Sequence, residues 1–85
     1  MDRANAIRLL EALMAGGKYS GTPIAAAWIH KKAWEIGLEG QNLVSALAYA
    51  GNEGWLADGP QTGQVLLTGK AEAAIRNLLR LARRG

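Results

Sequence analysis

Residues 43 to 68 carry the pattern that most narrows how this chain can fold. Leu43, Leu47 and Ala50 recur at the three-and-four spacing of one helical face, with Val44 and Ala46 flanking that line, which predicts a helix from about 40 to 52. Gly54 then closes it, since glycine readily adopts the left-handed backbone in which many helices end. Two short runs follow, Trp55-Leu56-Ala57 and Gln64-Val65-Leu66-Leu67-Thr68, separated by Asp58-Gly59-Pro60-Gln61-Thr62-Gly63. Extended apolar runs around a turn rich in Gly and Pro predict a β-hairpin. A lone two-stranded hairpin is marginal in water, so Trp55, Leu56, Val65 and Leu67 must lie against helices for it to persist.

The remaining segments supply those helices. Ala6, Ile7, Leu10, Leu13 and Met14 share a face, with Asp2 as N-cap and Gly16-Gly17 as the stop, giving a first helix over about 3 to 15. Thr22-Pro23 reads as an N-cap followed by proline at the first helical position, so a second helix is expected from about 23 to 36. Ile24, Ala27 and Trp28 form one apolar face of it, Ile29, Ala33 and Ile36 an adjacent one, and Gly37 ends it. Thr68 is placed to cap a last helix whose apolar face is Ala71, Ala74, Ile75, Leu78, Leu81 and Ala82. The expected fold is mainly α with a small β-hairpin, in the order α-α-α-β-β-α. With 85 residues, 49% apolar and 20% charged, the chain has material for one folded domain, 1–85, and too little for two.

Composition removes several kinds of chemistry. Without cysteine there is no disulfide, thiolate nucleophile or cysteine-held metal, and His30 is the only histidine. No uncharged run is long enough to cross a bilayer, and Met1-Asp2-Arg3-Ala4-Asn5 lacks the basic-then-apolar start of a secretory signal, so the chain is expected to be cytoplasmic with no membrane partner. Ser20, Ser45, His30 and the scattered carboxylates form no nucleophile motif, and in Gly16-Gly17-Lys18-Tyr19 a tyrosine stands where a phosphate-binding loop needs Ser or Thr. No enzyme activity and no cofactor are expected.

Charge points elsewhere. The net charge is +3, yet residues 38 to 69 hold three acids and no base, so attraction to phosphate has to come from the two ends. Lys18, Lys31 and Lys32 form one basic group, and Arg76, Arg80 and Arg83 recur at helical spacing as a stripe along the last helix. The alternative use of that stripe is a solvated face whose final arginines favour the negative end of the helix dipole.

The segment Leu43-Val44-Ser45-Ala46-Leu47-Ala48-Tyr49-Ala50-Gly51-Asn52-Glu53-Gly54-Trp55-Leu56 resembles the stretch of winged-helix transcription regulators that runs from the recognition helix into the first wing strand. Val65-Leu66-Leu67-Thr68 is similar to the second wing strand and helix start of MarR- and PadR-like regulators. The resemblance implies a winged helix-turn-helix fold and binding to double-stranded DNA, with the helix at 40–52 in the major groove. Gln41, Asn42, Ser45 and Tyr49 would then approach base edges, while Lys18, Lys31, Lys32, Arg76, Arg80 and Arg83 would hold phosphates. A homodimer is expected with it, because the core is small and a twofold partner doubles the phosphate contacts. The chain departs from the family in carrying Ser45, Ala48, Tyr49 and Asn52 where Arg or Lys is common, in its acidic wing tip, and in a second helix longer than the family's short supporting helix. The absence of Lys or Arg between residues 38 and 69 motivates the alternative, a winged-helix module in which the acidic middle segment and the wing contact another protein. Trp28, Trp34 and Trp55 are expected in the core, and an exposed Trp34 would mark a partner surface.

Overall fold

The computed structural model describes residues 2–84, with side chains as far as Leu81. Helix α1 (Asp2–Ala15) buries Ala6, Leu9, Leu10 and Leu13, a stripe one residue wider than expected because Leu9 also faces inward. Ile7 and Met14 pack at its edge. Asp2 lies within the first turn of the helix.

The chain then departs from the expected order. Pro23–Ala25 is a strand, β1, and the helix predicted from residue 23 begins only at Ala26, as α2 (Ala26–Glu35). The Thr22-Pro23 pair that reads as a helix start is a strand start instead. Proline lacks an N–H to give a ladder, which is tolerated at the first residue of an edge strand, and Pro23 holds that position. Its neighbour Ile24 points inward and is fully buried. Strand β1 pairs antiparallel with β3 (Gln64–Leu67), matching Ile24 with Val65, while β2 (Leu56–Asp58) pairs with the other edge of β3, matching Leu56 with Leu67. The fold is mainly helical, with a three-stranded antiparallel sheet in the order β1-β3-β2. Ala26, whose N–H has no partner within α2, donates it to the Gly63 carbonyl at 2.8 Å, so the hairpin loop caps the second helix.

Helix α3 (Gly40–Asn52) is held between two closures of the same kind. After α2, Gly37 N–H donates to the Trp34 carbonyl at 3.0 Å and Leu38 N–H to Ala33 at 2.8 Å. After α3, Gly54 N–H donates to Gly51 at 3.1 Å and Trp55 N–H to Ala50 at 2.8 Å. This paired pattern needs a left-handed residue, and Gly54 supplies it at φ 75°. Each closure turns the next residue into the core, leaving Leu38 2% and Trp55 5% exposed. Arg8 of α1 adds a 2.6 Å hydrogen bond to the Ile36 carbonyl at the end of α2.

Thr68 joins the sheet to α4 (Gly69–Arg84). Its N–H donates to the Trp55 carbonyl at 3.1 Å, its hydroxyl donates to the Gly54 carbonyl, and the same hydroxyl accepts from Ala71 N–H at 3.3 Å as an N-cap. Ala71 and Ile75 are buried and Ala74 and Leu78 half-buried, but Leu81 is exposed, so the predicted apolar face runs past the body of the domain before the helix ends. Leu9, Leu10, Leu13, Ile24 and Leu67 are the largest fully enclosed side chains, which places the centre of the core between α1 and the sheet. Among the described residues no helix is long and apolar enough to cross a membrane.

Two substitutions test this account. Ile24→Ala is expected to lower the unfolding free energy by about 2–5 kcal/mol, the usual cost of emptying a closed aliphatic site. Thr68→Ala is expected to cost about 0.5–2 kcal/mol while Thr68→Ser keeps most of the stability, because only the hydroxyl is needed for the cap. Urea unfolding followed by circular dichroism reads both.

Candidate nucleic-acid interface

Burial of Leu43, Ala46 and Ala50 determines which side of α3 faces water. At 3.6 residues per turn the opposite face is Gln41, Val44, Ser45, Ala48 and Asn52. All but the half-buried Ser45 are exposed. Gln41 Nε2 donates to Ser45 Oγ at 3.2 Å, so the amide and the hydroxyl stand together one turn apart. The helix itself carries no charge, and Glu39 and Glu53 stand at its two ends.

The expected base-reading residues therefore separate into two groups. Gln41 and Ser45 are joined, with Asn42 exposed on the neighbouring flank. Tyr49 turns the other way: it is half-buried, edge-on to Trp55 at 5.7 Å, and its hydroxyl accepts from Arg3 Nη1 at 3.4 Å. The Arg3 guanidinium lies 5.7 Å over the Trp55 ring, and the hydrogen bond to Tyr49 followed by its Coulombic contact raises the arginine's pKa above its ordinary value. Tyr49 thus ties α3 to α1.

Among the basic residues, Lys18 and Lys32 come together from different elements. Their ammonium groups lie 4.8 and 5.3 Å from the Trp28 ring, an arrangement in which the negative ring face attracts cations. The indole lies over Gly16, where an added Cβ would be 2.7 Å from the ring. Lys32 also sits 3.4 Å from Glu35 Oε1, and Lys31 is exposed on another side of α2. Arg76 and Arg80 are exposed on α4, with Arg76 Nη2 3.9 Å from Glu72 Oε2, while the Arg83 side chain lies outside the described residues. Among the described residues no hydrogen bond or ion pair joins these arginines to α3 or to the two lysines at Trp28.

The core position expected for Trp34 is not where the structure puts it, and its exposure marks a surface beside α3. Trp34 is 69% and Val44 57% exposed, and with His30, Leu38, Gln41 and Leu43 they line a cleft between α2 and α3. The signal was present: Trp34 lies one turn beyond His30 and off the Ile29–Ala33 line that α2 buries. Comparison of the chain with protein-family models, with curated proteins and with solved structures finds no match.

Glu72 beside the arginine stripe yields a pH test. Its Oε1 accepts the Ser20 N–H at 2.8 Å, and this backbone hydrogen bond holds the carboxylate below its ordinary pKa, with Arg76 as a lesser contributor. A depressed folded pKa gives stability that is present above the unfolded value and is lost as pH falls through the folded one. The stability difference between wild type and Glu72→Gln is therefore expected to be largest at neutral pH and to shrink below about pH 5. Urea titrations at stepped pH measure it, and a difference that stays constant into acid contradicts the assignment.

Proposed function

We propose that the chain is a winged-helix DNA-binding domain acting in the cytoplasm as a small transcription regulator. The observation that carries this reading is α3: lying between the closures at Leu38 and Trp55, it turns the uncharged face of Gln41, Val44, Ser45, Ala48 and Asn52 outward in a domain that also carries a sheet-borne hairpin. The ten-residue α2 also has the short length of a supporting helix, which removes one departure from the resembled family. In this reading α3 enters the major groove, where Gln41, Asn42 and Ser45 meet base edges. Lys18, Lys31 and Lys32 neutralise phosphates beside it, and Arg76, Arg80 and Arg83 do so along α4.

Each phosphate contact releases counterions, so affinity for a mixed duplex is expected to fall linearly with salt on logarithmic axes. Replacing Lys31 and Lys32 together by Ala is expected to reduce that slope by about 1–2, at about 0.9 for each lost contact. Fluorescence anisotropy at a series of salt concentrations measures it. Absence of binding at low salt, or an affinity indifferent to salt, overturns the reading.

The exposure of Trp34 favours a second reading, a winged-helix module that binds a protein through the cleft between α2 and α3. The same titration separates the two: the DNA reading requires altered sequence preference when Asn42 and Ser45 become Ala. The protein reading requires no duplex binding in any variant and loss of a partner with Trp34→Ala.

Pairing of two copies belongs to the DNA reading, and Leu79 and Leu81, 52% and 63% exposed on opposite flanks of α4, are the large apolar side chains this helix leaves open to a partner. Sedimentation velocity is expected to find a dimer that Leu79→Glu with Leu81→Glu converts to monomer, and a monomeric wild type refutes the pairing.

A further inference from the structure

The outward face of α3 has a composition that selects among base pairs. Major-groove chemistry assigns guanine to Arg or Lys, cytosine N4 to Asp or Glu, adenine to Asn or Gln, and the thymine methyl to small apolar side chains. From Gly40 to Asn52 there is no Arg, Lys, Asp or Glu. Apart from Gly40 and Gly51, the exposed positions are instead Gln41, Asn42 and Asn52, three amides, and Val44 and Ala48, two apolar groups one turn apart. Val44 is the informative one, because a β-branched apolar side chain 57% open to water in the middle of a helix contributes little to this core. Gln41, one turn from Ser45 and hydrogen-bonded to it, has its amide held on the surface instead of folded back on the backbone. The flanking acids Glu39, in the Trp34 cleft, and Glu53 lie outside the helix at its two ends and leave the face itself without charge.

We infer that α3 reads A·T base pairs, with Val44 and Ala48 against the 5-methyl groups of thymines and Gln41 against adenine. The inference rests on the DNA-binding reading and adds to it the class of sequence bound. Affinity then divides between two sets of residues: lysines and arginines on other elements supply the sequence-independent attraction, and α3 supplies apolar and amide discrimination.

The experiment uses the full chain at low salt. Duplexes are selected from a library with a randomised core, and the selected site is then remade with deoxyuridine in place of thymidine, which removes only the methyl groups. The expected result is an A·T-rich selected core and a loss of about fourfold in affinity for each contacted methyl removed, the scale of one buried methylene-sized group. Val44→Ser, a change at an exposed position, is expected to bind the thymidine duplex more weakly and to respond less to the uridine exchange than wild type. Salt-dependent binding with a G·C-rich core, or with no response to uridine, overturns the inference while leaving the DNA-binding reading intact. An unselective core overturns the inference together with the base-reading roles of Asn42 and Ser45, leaving phosphate contact alone. No binding to any duplex overturns both.

Discussion

Strand β3 is the constraint on which the other elements depend. It is the central strand, hydrogen-bonded to β1 along one edge and β2 along the other, and its Leu67 is enclosed together with Ile24 from β1 and Leu56 from β2. Two strands alone would be marginal, and the third makes the sheet a platform with one face packed on the helices. Because β1 takes up Pro23–Ala25, α2 starts late and stays short. The length of α2 in turn sets where the chain re-enters as α3.

The candidate interface inherits its form from this arrangement. Helix α3 is bound to the body by the Leu38 and Trp55 closures at its ends and by Tyr49 at its side, which leaves one face uncommitted. Positive charge sits elsewhere, around Trp28 and along α4. Long-range attraction and local discrimination therefore belong to different elements of the proposed reader, and salt acts on the first far more than on the second.

Much of this was legible in the residues. The spacing of Leu43 and Ala50, the stop at Gly54 and the cap at Thr68 each encode a local event that the structure repeats. The error at Thr22-Pro23 has a physical cause: the dipeptide satisfies a helix start and the first residue of an edge strand equally well, and the choice is made by β3, some forty residues away in the chain. A three-residue strand with one inward side chain also has too little alternation to be recognised by period. The site was legible as residue types but not as partnerships. Nothing local links Tyr49 to Arg3, or Lys18 to Lys32 through an indole, since those contacts exist only once α1, α2 and α3 are packed.

The three indoles occupy three unlike settings: Trp55 is enclosed under an arginine, Trp28 is half-buried with two ammonium groups close to its ring, and Trp34 is open to water. The chain's intrinsic emission is consequently a composite of a shielded, a cation-flanked and a freely quenchable fluorophore. Each reports on a different region: the junction of α1 with α3, the lysine pair, and the mouth of the α2–α3 cleft. Single-tryptophan versions of this domain would resolve events at those places without any attached label.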